Sequence, residues 1–385
     1  MSLLKKLVLI LMVVMLVSCK SIGPGRVHMD RQVYNTVLRD TEQEQLLSNI
    51  VRTRYLENTQ YIQVGGLTAN YQLSESLAST ATSNFNRPSP TTYVGSLSPT
   101  INYSDNPTIS YVPLSDADFA NSLLTPVSML NFILLMHAGG FDQVALFDIF
   151  FEQLNYIDGN MLTLGGTSYT TKEQIQFWHI MKILHNMEKR DAFDLPRSVL
   201  YKKQLGIMIR FKKNLEKSSD AIELKRLLGV ARNSKSIVFM EHTFDEDLHE
   251  ENGVLVVNQT PTLPRNLVYV RLRSIIAAIK FLGYGVQIPE EDIRAHVTRE
   301  LIRPDGRRFD WSDKMQNIFT VYSSDNEPRA NVLVKTKIHH HWFYIKASDL
   351  ATKETLIAVL RLFTLTSVTT HQTNNLPVIT IPVGR

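Results

Sequence analysis

The longest unbroken apolar run lies near the start of the chain, at residues 7–17. Lys5 and Lys6 precede the run, and Ser18 and Cys19 follow it. A helix that crosses a membrane needs roughly 20 apolar residues, whereas a shorter run between basic and small residues is typical of a secretory signal. We therefore predict a signal peptide over residues 1–18.

Helical periodicity begins near Met29. Apolar residues recur three and four positions apart up to Ile50, Val51 and Tyr55, with a polar interruption midway. This spacing places them on one helical face. We predict either one long helix or two helical segments, preceded by a tether at residues 19–28.

Residues 60–113 change to a period of two, which is the period of a strand. The alternating runs are Leu67–Leu77, Tyr93–Tyr103 and the shorter Ile109–Tyr111. Segments rich in Asn, Asp and Pro separate them and indicate turns. We predict an antiparallel β-meander, with an edge strand where Pro99 falls in the second run.

Two structures share this alternating pattern. One is a soluble sheet with a single face on the core. The other is a set of strands that cross an outer membrane, because such strands have roughly 9 to 11 alternating residues with aromatic residues at their ends. Period two does not separate the two structures.

The remaining pattern predicts an α+β fold: the N-terminal helix and β-meander, then central helices, then a C-terminal α+β unit. We place the domain boundary between residues 29–197 and 198–385. The predicted helices are 115–124, 127–136, 141–156, 171–187, 219–228, 272–282 and 348–363, the last capped by Ser348. The predicted strands are 199–211, 236–244, 253–258, 267–270, 318–322, 332–338, 342–345 and an edge strand at 378–383, and residues 159–171 are predicted to form a loop.

Composition limits the classes of function. Cys19 is the only cysteine, so the chain has no disulfide available. The formal net charge of +4 falls to +2 when Lys5 and Lys6 leave with the signal peptide. A net charge this close to zero argues against nucleic acid as a partner.

The segment Leu16-Val17-Ser18-Cys19 resembles a bacterial lipobox. The resemblance implies that Cys19 becomes the first residue of the mature chain and carries acyl chains such as palmitate, which anchor it in a membrane. An aspartate after the cysteine resembles an inner-membrane retention signal in enteric bacteria. Lys20 stands there instead, which favours the outer membrane and a periplasm-facing protein.

Further motifs resemble those of an uncharacterised family of proteobacterial outer-membrane lipoproteins. The motifs are Ser110-Tyr111-Val112-Pro113-Leu114, Leu123-Leu124-Thr125-Pro126, Arg307-Arg308-Phe309-Asp310-Trp311, His341-Trp342-Phe343-Tyr344-Ile345 and residues 377–384. They consist of packing residues. The resemblance therefore implies a location and a fold, and assigns no activity.

Candidate chemistry is sparse. The chain contains no nucleophile elbow, metalloprotease helix, phosphate-binding glycine loop or dinucleotide fingerprint. In His339-His340-His341 only the first and third side chains share a strand face, which is too few ligands for a metal. His179 and His185 are spaced to lie on different flanks of a helix. We predict no catalytic residue, metal or cofactor, and interpret the basic stretch at 202–217 and the acidic stretch at 241–251 as solvated surface.

These observations predict an outer-membrane-anchored lipoprotein that is not an enzyme and has a structural, assembly or interaction role in the cell envelope. Its partners are the membrane, through lipidated Cys19, and envelope proteins or further copies of itself. Two alternatives stay open. One is a subunit of an oligomeric outer-membrane channel or secretion system that donates strands from residues 59–113. The other is an unrecognised envelope hydrolase.

Overall fold

The chain has an α+β fold. The computed structural model describes residues 22–68, 71–84, 92–105, 108–113, 117–155, 157–160, 162–164, 167–241, 248–251, 254–257, 266–303, 305–370 and 379–382. Two compact units divide these residues. The helix–sheet unit lies within residues 1–59 and 117–372, and the strand unit lies within residues 60–116 and 373–385.

The described helices are α1 (Ile22–Arg54), α2 (Ala117–Leu124), α3 (Met129–His137), α4 (Gln143–Phe150), α5 (Lys172–Lys189), α6 (Ser219–Leu227), α7 (Ile275–Gly283), α8 (Glu290–Arg294), α9 (Ser312–Met315) and α10 (Leu350–Thr370). The described strands are β1 (Ile62–Thr68), β2 (Tyr71–Asn84), β3 (Thr92–Asp105), β4 (Thr108–Pro113), β5 (Phe151–Leu154), β6 (Ile157–Asp158), β7 (Leu162–Leu164), β8 (Thr167–Tyr169), β9 (Arg197–Tyr201), β10 (Gln204–Arg210), β11 (Ser236–Glu241), β12 (Leu248–Glu251), β13 (Val254–Val257), β14 (Leu267–Leu272), β15 (Leu301–Ile302), β16 (Tyr322–Ser324), β17 (Val332–Ile338), β18 (His341–Lys346) and β19 (Ile379–Pro382).

The N-terminal helix α1 is continuous over 33 residues. It begins at Ile22, so most of the stretch predicted to be a tether is helical. Pro24 falls in its first turn, where a missing N–H costs nothing. Leu47, Ile50 and Val51 are fully buried, which confirms the predicted apolar face of the second half.

The largest sheet has six strands in the order β6-β5-β14-β11-β10-β9. β11 and β14 are parallel, and the other neighbours are antiparallel. Because β5 pairs with β14, this sheet joins segments from both sides of the boundary predicted at residue 198. The two units of the structure therefore divide the chain differently from the predicted domains.

A cluster of phenylalanines forms the core against this sheet. Phe147 and Phe151 stack with ring centroids 4.6 Å apart, and Phe239 lies within 5.5 Å of both centroids. Phe132 contacts the same group at 6.1 Å from Phe147. All four side chains are at most 1 % exposed, so they lose nearly all their contact with water on folding.

Some predicted elements of the helix–sheet unit are wrong. The helix predicted at 141–156 ends at Phe150, and the chain continues as β5. The strand predicted at 199–211 is the hairpin β9–β10, whose turn residues Lys202 and Lys203 both have positive φ. That turn lacks the Asn-Gly signal that announces such hairpins. The loop predicted at 159–171 contains the short strands β7 and β8.

A smaller sheet follows, in the order β16-β18-β17. Its strands β17 and β18 confirm the predictions at 332–338 and 342–345. The strand predicted at 318–322 is displaced, since β16 begins at Tyr322. Helix α10 is capped by Asp349, whose carboxylate accepts the Thr352 N–H at 3.1 Å, and the prediction of Ser348 as its cap is wrong.

The strand unit is antiparallel, but it is not a meander. β1 pairs with β4, and β19 pairs with the other edge of β4. The strands β2 and β3 form a separate two-stranded hairpin inserted between β1 and β4 in the sequence. β19 lies at the edge of its sheet, as its prolines predict.

Candidate functional site

The hairpin β2–β3 is the longest pair of strands described. Its register runs without a shift through fourteen pairs, from Tyr71 opposite Asp105 to Asn84 opposite Thr92. Among the residues that the structure describes, neither strand pairs with a third. Both outer edges of the hairpin therefore carry a row of backbone N–H and C=O groups that no described strand satisfies.

The register separates the hairpin positions into two kinds of face. Residues directly opposite each other lie on the same face. One face holds the pairs Leu73 with Tyr103, Leu77 with Pro99, Ser79 with Leu97 and Ser83 with Tyr93. The other face holds Ser74 with Asn102, Ser76 with Thr100, Ala78 with Ser98 and Thr80 with Ser96.

The second face is small and polar. Ser76, Ala78, Ser98 and Thr100 on it are exposed to solvent. The first face carries most of the apolar positions and all three tyrosines of the hairpin, Tyr71, Tyr93 and Tyr103. The residues that alternate in the sequence therefore lie on two faces of the hairpin. Most of the apolar positions are on one face, and most of the polar positions are on the other.

The helix–sheet unit contains a cavity of about 550 Å³ beside Arg54, called the Arg54 pocket below. Its aromatic wall consists of Tyr284, Phe309 and Trp311. Tyr284 and Trp311 stack with centroids 4.2 Å apart, and Phe309 meets Trp311 edge to face at 4.9 Å. All three residues are half-buried, so the aromatic wall is partly open to the cavity.

Arg54 forms a polar part of the wall at the end of α1. The residue is 7 % exposed, its Nη1 donates to the Arg299 carbonyl oxygen, and its Nε has no hydrogen-bond partner. Glu300 Oε1 also lacks a hydrogen bond and lies 3.3 Å from Arg308 Nε as an ion pair. Burial lowers the pKa of Arg54 from its ordinary value.

A second polar network lies beneath α4. Asp148 is fully buried, and it accepts from Lys314 Nζ at 2.5 Å and contacts His185 Nε2 at 2.9 Å. Burial alone raises the pKa of the Asp148 carboxyl, but Lys314 and His185 outweigh it and hold that pKa below its usual value. Arg273, also buried, donates to the carbonyl oxygens of Asp148 and Ile149. The network ties α4 to α5, to α9 and to Arg273, the residue that follows β14.

One group in the described part of the chain has the donor set of a metal site. The donor atoms of Asp142, His185 and Glu188 lie within 4.8 Å of one another. Burial, followed by the neighbouring Asp142 carboxylate, raises the pKa of Glu188 to about 8. Glu188 stands three residues after His185 on the same helical face, a spacing that brings the two side chains together, whereas the spacing of His179 and His185 does not.

The same carboxylates have a structural role. Asp142 caps α4 by accepting the Ala145 N–H at 2.8 Å, and Glu188 accepts backbone N–H groups of the first turn. A neutral Glu188 that hydrogen-bonds to Asp142 accounts for the arrangement without an ion.

The histidines that the sequence analysis interpreted as structural contact separate carboxylates. His339 pairs with Glu57 at 2.9 Å, whereas His341 pairs with Glu291 at 2.6 Å and with Asp325 at 2.9 Å, so the two histidines contact different carboxylates. His179 and His185 contact Glu223 and Asp148. These contacts agree with structural roles for the histidines.

The basic stretch lies on the surface. Lys202, Lys203, Arg210, Lys213 and Lys217 are exposed, which confirms the solvated face predicted for the basic stretch. The acidic stretch runs partly through β12, which pairs with β13.

Cys19 and the predicted signal peptide lie outside the described residues, as do four of the eight residues of the motif at 377–384. No helix among the described residues combines the length and apolar content needed to cross a membrane. Comparison of the chain with protein-family models, with curated proteins and with solved structures returned no match.

Proposed function

We propose that the chain is an outer-membrane-anchored lipoprotein that faces the periplasm and works by assembly with other envelope proteins or with further copies of itself, without catalysis. The observation that carries this proposal is the hairpin β2–β3, which has fourteen residues in each strand and no third strand among those described.

An isolated two-stranded hairpin is at best marginally stable in water. The edges that no described strand pairs with are templates for pairing with other strands, and an apolar face favours association. A long hairpin of this kind is stabilised when a partner covers its face or extends its edges. An assembly function supplies that partner.

The anchor rests on the sequence at the N-terminus. A run of apolar residues too short to span a membrane precedes Cys19. One acyl chain binds a membrane marginally and two bind it stably, at about 0.8 kcal/mol for each buried CH₂ group. A multiply acylated Cys19 would therefore keep the folded units at the membrane surface.

Replacing the acylated cysteine tests the anchor. We expect Cys19→Ala to abolish fatty-acid labelling and to leave the signal peptide uncleaved. Lys20→Asp is the matched control, because it preserves the cysteine; we expect it to retain the label and to move the protein to the inner membrane. Labelling of the Cys19→Ala protein, together with normal fractionation in the outer membrane, would contradict the anchor.

A second candidate function is a subunit of an oligomeric outer-membrane channel, to which several copies each contribute one hairpin. The spacing of the tyrosines favours it. Tyr93 and Tyr103 lie ten residues apart in β3, or about 34 Å along the strand. At the usual tilt of 35–45° this spacing spans about 26 Å of membrane, close to the roughly 25 Å apolar band that aromatic residues border in such proteins.

The two faces fit the same arrangement. The apolar positions would face lipid, and the small polar positions around Ser76 and Thr100 would line water. Glu75 is a departure, since it shares the face of the apolar positions. It is paired with Ile101, two residues inside Tyr103, near the membrane boundary, where a charge costs about 0–1 kcal/mol.

Conductance distinguishes the second candidate from the first. In planar bilayers the purified full-length protein is expected to produce discrete conductance steps, and Thr100→Lys is expected to shift their selectivity toward anions. Lys182, an exposed residue of α5, provides the control substitution Lys182→Glu, which should leave selectivity unchanged. A protein that produces no steps and remains a monomer in detergent is not a channel subunit.

A further inference from the structure

Three acceptor side chains converge where the start of α4 meets the end of α5, and they are called the α4–α5 cluster below. Its members are Asp142, His185 and Glu188, whose donor atoms for a metal all lie within 4.8 Å of one another. Asp142 precedes the first turn of α4, and the other two residues stand three positions apart on α5. The cluster lies within the helix–sheet unit, so it depends neither on the hairpin nor on the assembly function proposed above.

His185 has the hydrogen bond that orients a metal-binding histidine. Its Nε2 lies 2.9 Å from one oxygen of Asp148, and Lys314 Nζ lies 2.5 Å from the other oxygen of that carboxylate. An ionised carboxylate only accepts hydrogen bonds, so the imidazole proton is on Nε2 and Nδ1 carries a lone pair. A histidine that ligates a metal through one nitrogen almost always donates from the other to a carboxylate, a carbonyl or water. Asp148 therefore leaves Nδ1 as the atom with which His185 joins the cluster.

The two carboxylates of the cluster keep capacity for a cation. Asp142 caps α4 through Oδ1, which accepts the Ala145 N–H at 2.8 Å, and each carboxylate has about four lone-pair sites. Acceptors placed this close repel one another unless a positive charge lies between them. A proton shared by Glu188 and Asp142 relieves the repulsion between these two carboxylates. A divalent cation does so as well, and it also binds the His185 lone pair.

The cluster is accessible from solvent. Asp142 is exposed, Glu188 is half-buried and the His185 side chain is 17 % exposed. Glu188 also lines a cavity of about 590 Å³, together with the carboxylates of Asp191 and Asp194. An ion therefore reaches the donor atoms without any opening of the core.

We propose that Asp142, His185 and Glu188 bind a divalent transition-metal ion of the zinc type. An imidazole nitrogen with carboxylate oxygens is a ligand set for Zn²⁺, whereas Mg²⁺ and Ca²⁺ take oxygen ligands. The ion replaces the proton between the carboxylates and fastens the start of α4 to the end of α5. Three protein ligands leave a fourth tetrahedral position for water or for a group held in the adjoining cavity.

Calorimetric titration of the metal-free, full-length protein with zinc chloride tests the proposal. We expect one ion per chain with a dissociation constant below about 10 μM, and binding of Mg²⁺ that is at least about a hundredfold weaker. Glu188→Gln keeps the shape of the side chain and removes its charge, and we expect it to weaken zinc binding at least about tenfold, as even loss of a partner of a metal ligand does. The control is Glu173→Gln, the same substitution at an exposed residue of α5 outside the cluster.

Zinc bound at the exposed His339 and His340 is the competing explanation for a positive titration. The double variant His339→Gln with His340→Gln is expected to keep the affinity of the wild-type protein, whereas His185→Gln is expected to lose at least about tenfold. X-ray absorption at the zinc edge of the wild-type protein gives a readout that needs no variant. We expect nitrogen and oxygen ligands at about 2.0–2.2 Å, with a single imidazole among them.

The proposal is overturned if the folded wild-type protein binds no zinc at concentrations up to about 1 mM. Full affinity in a folded Glu188→Gln or His185→Gln protein also overturns it, as does loss of binding in the His339 and His340 double variant. Circular dichroism reports whether each variant folds. If neither cluster variant folds, the absorption spectrum of the wild-type protein decides, because a spectrum with one imidazole supports the site and any other number of imidazoles contradicts it.

Discussion

The two units of this protein differ in how they can be stabilised. The helix–sheet unit packs a phenylalanine cluster against a six-stranded sheet and buries the charge network around Asp148. The strand unit has five described strands in two separate sheets and no described helix, and its longest element is a hairpin with open edges. The first unit holds its own core, whereas the hairpin gains its stability when something covers it.

In the proposed function the helix–sheet unit is the scaffold and the hairpin is the part that binds partners. Substitutions inside the helix–sheet unit should change its folding free energy. Changes to the hairpin should change assembly and leave that folding free energy nearly as it was. The following predictions test the separation, from the largest expected effect on stability to the smallest.

The largest effect is expected from Phe147→Ala. Phe147 is 1 % exposed and contacts three other phenylalanines, so truncation leaves a cavity where the core cannot fully collapse. We expect a loss of about 4 kcal/mol in the free energy of unfolding, measured by urea denaturation. Leu195→Ala is the control, because Leu195 is 80 % exposed, and it should change stability by less than about 0.5 kcal/mol.

Lys314→Met should have the next largest effect. It removes one partner of the fully buried Asp148 and leaves that carboxylate with His185 alone. Breaking a buried pair from one side costs about 3 kcal/mol. The exposed Lys182→Met should be near neutral in the same urea titration, and equal effects of the two substitutions would show that the network beneath α4 does not stabilise the unit.

A smaller loss of stability is expected when a helix cap is removed. Thr171 accepts the Gln174 N–H at 3.0 Å and caps α5. Thr171→Ala should cost about 1 kcal/mol, and Thr171→Ser should restore most of that loss because it keeps the hydroxyl. If Ala and Ser give the same loss, the hydroxyl does not act as a cap.

The smallest effect on stability is expected from removing the hairpin. Residues 71–105 would be replaced by a short glycine and serine loop. All three tryptophans, at positions 178, 311 and 342, lie in the helix–sheet unit, so their fluorescence reports its unfolding alone. We expect its urea transition to change by less than about 0.5 kcal/mol. A loss of several kcal/mol would show that the hairpin is part of the folding unit.

Local patterns predicted much of the fold. The buried face of α1 at Leu47, Ile50 and Val51, the helix that Thr171 begins, and strand β17 all follow from periodicity and capping. The alternation in β2 and β3 also predicts the two faces of the hairpin that the register defines. These features depend on neighbours within a few residues, which the sequence displays directly.

Features that depend on distant residues were missed. β1 pairs with β4, although β2 and β3 lie between them in the sequence. Four consecutive strands predict a meander, because the sequence shows the order of the strands and not their partners. Asp148 and Lys314 are 166 residues apart, and Arg54 meets the carbonyl oxygen of Arg299 across 245 residues. Neither the buried network nor the Arg54 pocket leaves a local signature, because each is assembled by tertiary packing.

The most direct test of the account is the assembly state of the full-length protein in detergent, compared with the variant in which a short loop replaces residues 71–105. Light scattering coupled to size-exclusion chromatography gives the protein mass of each. The hairpin account predicts a complex of several copies, or a stable complex with an envelope partner, for the full-length protein and a monomer for the variant. The same mass for both proteins, with the helix–sheet unit folded in each, would contradict it.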